Sequence, residues 1–288
     1  MSIQWFPGHM AKAKREVSEQ LKKVDLVLEL VDARIPKASQ NPLLRQLLEG
    51  KPRVILLTKS DMADPVETKK WVAHFNEEGI EAVAINALAQ TGKKDVLAKV
   101  KKAAAPLYDK WKRKGMKPRA IRAMVVGIPN VGKSTVINYL IGKKLTKTGD
   151  RPGITKAQQW LKVDRTLELL DTPGILWPKF EDPKVGYFLA LTGAVKDELL
   201  DLEEIAQFGL RLLKEKYPQA LTERFSLSNV KEMKEETILE EIGKKRGCLR
   251  AGGVVDCEKA AELLLQEIRK QKLGRLTFES YKEEKKDA

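Results

Sequence analysis

The sequence predicts an α/β architecture, a mostly parallel sheet covered by helices, followed by an all-α domain. Three observations carry this. Short apolar runs rich in strand formers recur at 26–31, 53–57, 82–85, 124–126 and 167–170. The stretches between most of them have helical periodicity, and strands alternating with helices imply parallel pairing with both sheet faces covered. After Pro183 the pattern changes: 185–217 and 256–272 are helical, with no strong strand signal between them. The expected division is therefore 1–180 for the α/β domain and 181–288 for the helical domain, with a frayed tail from Tyr281 onward.

Each element has its own signal. Residues 12–23 place Val17 and Leu21 at helical spacing. The run 26–31 ends in Asp32-Ala33-Arg34, and 46–50 closes a second short helix. The run 53–57 leads straight into Thr58-Lys59-Ser60-Asp61. Residues 67–78 read as a helix that stops at Gly79, and 82–85 is followed by Asn86-Ala87-Leu88. A long helix is expected over 94–113, apolar at Val96, Leu97, Val100, Ala104 and Leu107, with a kink at Pro106. The strand at 124–126 runs into a glycine-containing loop, 127–134, and then a helix over 135–141.

Composition narrows the classes of function. The 288 residues are 42% hydrophobic, enough to bury a core and inconsistent with global disorder. Lys and Arg number 54 against 40 Asp and Glu, a net charge of +14, and a surface this basic favours a polyanionic partner. No apolar run reaches the length needed to span a bilayer. The first residues lack a basic segment followed by an apolar one, so no secretory signal is expected and the expected compartment is the cytoplasm. The two cysteines, Cys248 and Cys257, form no CxxC pair and read as ordinary reduced thiols.

The loop from Gly127 to Ser134 matches GxxxxGK[ST], with a strand before it and a helix after it. That context turns the pattern into chemistry. Consecutive N–H groups at a helix N-terminus form a nest for phosphate oxygens, supplied here by Asn130, Val131 and Gly132. Lys133 neutralises β- and γ-phosphate charge, Ser134 offers its hydroxyl to Mg²⁺, and Thr135 is placed for the α-phosphate. Downstream, Asp171-Thr172-Pro173-Gly174 follows a strand. Asp171 is expected to hold a Mg²⁺-bound water and the Gly174 amide to sense the γ-phosphate. Between these motifs lies the Gly- and Pro-rich segment 149–155, in which Thr155, with Thr148 as its rival, is the expected Mg²⁺ ligand when the γ-phosphate is present.

An adenine-specific site could carry all of these features. Thr58-Lys59-Ser60-Asp61 argues for guanine. The Asp61 carboxylate can accept from guanine N1–H and the exocyclic amine, whereas adenine offers neither donor there and leaves the carboxylate unpaired. The aliphatic stem of Lys59 would cover one face of the base. The backbone of Asn86-Ala87, after the next strand, would serve guanine O6 through the Ala87 amide.

These segments resemble the G4 (58–61), G5 (86–88), G1 (127–134) and G3 (171–174) motifs of the GTPase family, in that order along the chain rather than G1, G3, G4, G5. That order resembles the circularly permuted GTPases. Trp5-Phe6-Pro7-Gly8-His9-Met10, Val31-Asp32-Ala33-Arg34-Ile35-Pro36, Asp150-Arg151-Pro152-Gly153-Ile154-Thr155 and Lys244-Lys245-Arg246-Gly247-Cys248 are similar to the bacterial ribosome biogenesis GTPase A (YlqF-type) proteins. The resemblance implies a P-loop GTPase fold in permuted order, GTP and GDP with Mg²⁺, and a role in late assembly of the large (50S) ribosomal subunit. It implies binding to the pre-ribosome and its rRNA in the GTP state and release after hydrolysis; apart from the resemblance, no membrane partner and a monomer are expected. Two positions depart from the family pattern: Thr58 stands where Asn is usual, and Asn86 where Ser is usual. Asn helps tie its loop to the P-loop, and Thr is shorter, so a looser tie and lower nucleotide affinity are expected.

Many GTPases orient the attacking water with a Gln directly after DxxG, whereas this chain has Ile175, a hydrocarbon that cannot do so. Three sources of that function are open. One is His9, suited to hydrogen-bonding a water near neutral pH. Another is a K⁺ ion on Asn130, the position that related K⁺-stimulated GTPases use. The third is a group supplied by the partner, which would also make hydrolysis slow in the isolated chain. His74, in mid-helix near Trp71 and Phe75, reads as a core or surface residue. Because the chain leaves for the helical domain soon after DxxG, GTP is expected to order 175–180 and set that domain's angle. The basic runs 110–122, 244–250 and 269–275 are expected to meet RNA phosphates. The alternative is a nucleotide-regulated adaptor or RNA-modification GTPase with little intrinsic hydrolysis.

Overall fold

The computed structural model describes residues 15, 17–40, 47–48, 50–143, 160–170, 182–195, 197 and 200–281. The chain divides into two compact units, one centred on Phe180–Phe278 and the other on Gln4–Lys179 together with Glu279–Ala288.

The larger unit is built on a six-stranded sheet. In chain order the strands are β1 (Leu26–Asp32), β2 (Arg53–Thr58), β3 (Glu81–Ala84), β4 (Ile121–Gly127), β5 (Trp160–Lys162) and β6 (Leu167–Leu170). In space they run β3-β2-β1-β4-β6-β5. Every pairing is parallel except β5 with β6. The three-residue β5 had no counterpart in the sequence pattern. β1 is buried at all seven positions, as a strand with both faces covered must be. One carboxylate, Glu29, sits inside this apolar run, and its Oε2 accepts from Arg53 Nη1 of β2 at 2.8 Å.

The order of the strands fixes where a ligand can bind. The chain lays down β1, β2 and β3 in one direction, then crosses back to place β4 on the other side of β1. Order reverses between β1 and β4, and in open parallel sheets the crevice at the C-terminal strand ends beside such a reversal is the binding position. Register aligns those ends, pairing Asp32 with Thr58 and Leu30 with Gly127.

Besides helical residues at 17–21, this unit has α1 (Pro65–Glu77), α2 (Lys93–Ala103), α3 (Ala105–Arg113) and α4 (Lys133–Ile141). α1 starts at Asp64, whose carboxylate accepts from the Val66 and Glu67 amides, and its Trp71 and Phe75 are buried with Val31, Ile55 and Leu57. The single helix expected over 94–113 is two helices meeting at Ala104. The break precedes Pro106 because proline fits the first turn of a new helix, where its missing N–H leaves nothing unsatisfied. His74, half-buried, packs its ring against Trp71 and Tyr281, at the margin between the core and surface roles expected of it.

The smaller unit is helical, with α5 (Pro183–Leu191), α6 (Leu202–Lys216), α7 (Pro218–Phe225), α8 (Glu235–Arg246) and α9 (Cys257–Arg269). Helix α6 ends before Pro218, which opens α7. Gly243 lets α8 approach its neighbours, because a Cβ there would meet Val255 Cγ1 at 2.5 Å and Ala260 Cβ at 3.2 Å. No described helix in either unit is long and apolar enough to cross a membrane. Tyr281, expected at the start of a frayed tail, instead packs on Trp71 of the sheet-containing unit, and 282–288 lie outside the described residues.

Candidate functional site

Two loops meet at the reversal point. The first follows β4. Gly127 is required where the strand ends, since a Cβ would lie 2.8 Å from the Leu30 carbonyl oxygen and 3.0 Å from Val131 Cγ1. Asn130 (φ 57°) and Gly132 (φ 99°) take left-handed backbone, which curls the loop before α4 begins at Lys133. The Lys133 ammonium donates back to the carbonyls of Ile128 (2.8 Å) and Gly127 (3.1 Å). These bonds hold the cation over the nest at the N-terminus of α4, where phosphate oxygens would exchange for the carbonyls. Ser134 and Thr135 lie half-buried in the same first turn.

The second loop follows β2. Thr58 is 3% exposed, and its hydroxyl donates to the Val131 carbonyl at 2.7 Å, with the Val31 carbonyl 3.1 Å away. This corrects the expected loosening at Thr58. Because β1 and β2 end side by side and β4 flanks β1, the shorter side chain reaches the P-loop without an amide. Lys59 follows in left-handed backbone (φ 56°), an uncommon conformation for a residue with a side chain. Ser60 and Asp61 continue the loop, half-buried. A third segment follows β3. The Asn86 Oδ1 accepts from the Ala89 amide at 3.0 Å, closing a small turn. Among the described residues the Ala87 amide has no acceptor, which suits its expected role toward a base carbonyl.

A buried charge cluster anchors the second loop. Asp32, at the end of β1, is 2% exposed. Its Oδ1 accepts from Arg34 Nε (2.9 Å) and the Arg34 amide (3.0 Å). Its Oδ2 accepts from Arg34 Nη2 (2.7 Å) and Lys59 Nζ (2.9 Å). Burial alone would raise the Asp32 carboxyl, but the Arg34 and Lys59 cations outweigh it and hold the group well below the usual carboxylate range. Burial pushes the Lys59 ammonium down, and Asp32 opposes that shift. The carboxylate thereby fixes the Lys59 side chain from its tip. The Asp32 amide in turn donates to Ser39 Oγ at 2.9 Å, and that hydroxyl donates to the Ile35 carbonyl at 2.7 Å. Sequence reasoning noted Asp32 and Arg34 as the end of the 26–31 run and within a family resemblance, and assigned them no role. The signal was present: charged residues directly after a fully apolar strand, aimed at the ligand-bearing edge.

His9, Thr148, Thr155, Asp171, Gly174 and the 175–180 segment lie outside the described residues. Among the described residues no group of three or more His, Cys, Asp and Glu side chains could hold a metal. A Mg²⁺ ion here would draw on Ser134 and on nucleotide oxygens, as Mg²⁺ bound to phosphates ordinarily does.

Two measurements probe this geometry. Thr58→Val keeps the side-chain shape and removes the hydroxyl. GDP affinity should fall about fivefold, the order expected when one buried hydrogen bond is lost, and unchanged affinity would show that the Thr58 tie does not shape the site. Asp32→Asn leaves two cations facing a neutral amide, and urea unfolding should show a loss of about 3 kcal/mol near pH 7. The folded-state carboxyl lies below its unfolded value, so its contribution is complete above about pH 4 and is lost as pH falls toward the folded value. The gap between the two chains should therefore hold from neutral pH down to about pH 5 and narrow below about pH 4. A gap of equal size at pH 7 and pH 3 would contradict the assignment.

Comparison with known proteins accords with the site. A family profile described as "50S ribosome-binding GTPase" matches residues 122–240. It begins in β4 and so omits β1, β2 and β3 with the Thr58 loop, which in this permuted chain come first. Ribosome biogenesis GTPase A of Bacillus pumilus is 53% identical over 279 residues, covering 97% of this chain and 99% of that protein. Its namesake in Thermotoga maritima is 33% identical, covering 96% and 94%. Among solved structures, GDP-bound YlqF (29% identity, TM-score 0.65) covers 93% of this chain and 100% of the other. GNP-bound YlqF from T. maritima (30% identity, TM-score 0.65) covers 93% and 98%. With the phosphate loop, the guanine-type loop and their permuted order on one sheet edge, the chain belongs to the ribosome biogenesis GTPase A family of P-loop GTPases.

Proposed function

We propose that this protein binds GTP in the crevice between the 127–134 and 58–61 loops, hydrolyses it, and uses the cycle to assist late assembly of the large ribosomal subunit in the cytoplasm. The observation that carries the proposal is the Thr58–Val131 hydrogen bond, which joins a phosphate-type loop to a base-type loop at one strand edge. One nucleotide can span the two. Asp61 reads guanine N1–H and its amine, the Lys59 stem covers the base, the Ala87 amide meets O6, and Asn130 to Gly132 with Lys133 take the phosphates. Ser134, Thr155 and, through water, Asp171 would hold Mg²⁺, which would supply charge neutralisation on the phosphate oxygens. Gly174 senses the γ-phosphate. Ile175 cannot orient water, so His9, a K⁺ ion on Asn130 or a group from the ribosomal partner does so, and turnover is slow without that partner.

The partner reading rests on which cations are free. In the smaller unit the basic runs are engaged in part, with Lys272 and Arg275 exposed and in no ion pair with a described residue. Arg269 bonds both Asp197 oxygens (2.7 and 2.8 Å), Arg224 bonds both Glu267 oxygens, and Lys244 and Arg250 pair with Glu241 and Asp256. By contrast Lys112, Lys114 and Lys117, at the end of α3 and just past it, are exposed and make no ion pair with a described residue. Free cations on one segment suit the phosphates of rRNA without reading its sequence. This favours the ribosome-coupled enzyme over an adaptor that scarcely hydrolyses. Adding large ribosomal subunits should raise the GTP turnover rate about tenfold or more, the scale on which a supplied catalytic group acts. An unchanged rate would point to the adaptor. Replacing Lys112, Lys114 and Lys117 together by Glu should flatten the salt dependence of subunit binding by about two units of log–log slope. An unaltered slope would remove this segment from the interface.

A further inference from the structure

Residue Glu279 follows the entire helical unit in sequence, yet its carboxylate is buried in the nucleotide-binding unit. Oε2 accepts from the Lys37 amide at 2.6 Å and Oε1 from the Ala38 amide at 2.9 Å, across 242 and 241 residues of chain. The residue is 7% exposed. Charged-acceptor hydrogen bonds to backbone N–H groups are among the stronger kinds. The backbone here is fixed as well. The Trp71 indole N–H donates to the Glu279 carbonyl at 3.3 Å. Two residues on, the Tyr281 ring lies 6.4 Å from Trp71 and 5.1 Å from His74. Trp71 belongs to the apolar cluster that also holds Val31 and Leu57, the residues just before Asp32 and Thr58.

Nothing in the guanine-nucleotide chemistry assigned above uses this segment, but its target is the turn that supports Lys59. The amides of Lys37 and Ala38 belong to the 35–39 turn. Ser39 closes that turn through its amide and its hydroxyl on the Ile35 carbonyl, and the same hydroxyl accepts from the Asp32 amide. Asp32 holds the Lys59 ammonium. The route from Glu279 to Lys59 thus alternates hydrogen bonds with short lengths of chain: Glu279 to the Ala38 amide, the neighbouring Ser39 hydroxyl to the Asp32 amide, and the Asp32 carboxylate to Lys59, each hydrogen bond 3.0 Å or shorter. We propose that Glu279 is a positioning residue for guanine-nucleotide binding: by capping the 35–39 turn it fixes Asp32, and through Asp32 the Lys59 side chain against the base. The proposal rests on the reading of Lys59 as the residue that covers the base. It gives the return of the chain at 279 a function, in which the segment that ends the helical unit completes the base side of the nucleotide site.

The test is a double-mutant cycle on the full chain, with GDP as the probe. Glu279→Gln keeps the size and removes the charge, presenting an amide NH₂ donor to one of the two N–H groups. In the parent chain this should weaken GDP binding about fivefold, as loss of a charge-assisted hydrogen bond would. In a Lys59→Ala background the same change should weaken it less than about twofold, because residues acting through one another are non-additive. A merely structural role for Glu279 would lower affinity by the same factor in both backgrounds, and that result overturns the proposal. So does unchanged GDP affinity for Glu279→Gln in the parent chain. If Lys59→Ala alone leaves GDP affinity intact, the base-covering reading of Lys59 falls and the proposal with it. If Lys59→Ala weakens binding but the cycle is additive, the proposal alone falls. Where Glu279→Gln lowers the folded fraction, Ser39→Ala, which removes the hydroxyl joining the 35–39 turn to the Asp32 amide, is put through the same cycle, with the same criterion.

Discussion

The structure depends on a single constraint, the position of β1 between β2 and β4 with a buried carboxylate at its end. Parallel pairing on both sides brings Thr58 next to Asp32 and Gly127 next to Leu30. Gly127 then has no room for a Cβ, the Thr58 hydroxyl falls within reach of the Val131 carbonyl, and Lys59 can fold onto Asp32. A carboxylate this buried survives as an ion only because Arg34 and Lys59 surround it. The apolar sheet sets the distances and the ion cluster sets the direction of the side chain that faces the ligand.

Permutation changes how this site is assembled along the chain, and leaves its geometry that of one crevice. The base-side loop is fixed by segments far apart in sequence: the 32–39 turn, the Val131 carbonyl and the Glu279 carboxylate. In such an arrangement the base side cannot be completed locally during synthesis, because its last contact comes from residue 279. The phosphate loop, by contrast, is a local object, made by β4, a turn and α4. On the proposed reading, the two ends of one nucleotide meet parts of very different contact order.

Much of this was legible in the sequence, for definite physical reasons. Strands β1, β2 and β4 announce themselves because a strand buried on both faces must be apolar throughout, and the ligand loops follow because they begin where those runs stop. β5 has three residues and no such run. Helices α7 and α8 carry mixed charge on short spans, so periodicity alone did not mark them. The break at Ala104 was misplaced toward Pro106 because proline marks the start of the next helix as readily as a kink. Thr58 was judged by side-chain length, whereas what matters is how close two strand ends lie. Glu279 was illegible in principle: one glutamate among many, meaningful only through two amides some 240 residues away.

The central claim is that the 58–61 loop reads guanine in the crevice whose other wall is the phosphate loop. It is tested most directly by replacing Asp61 with Asn and measuring affinity for GDP and for xanthosine diphosphate. Asn can donate its NH₂ to the xanthine 2-carbonyl while its Oδ1 accepts from N1–H; against guanine that same NH₂ faces the exocyclic amine, whereas the Asp61 carboxylate accepts from both donors. The account predicts that GDP binding falls at least about 100-fold while xanthosine diphosphate binding rises, since a site built on paired hydrogen bonds discriminates on that scale or more strongly. Retained GDP affinity in the Asp61→Asn chain, with xanthosine diphosphate still rejected, would contradict it.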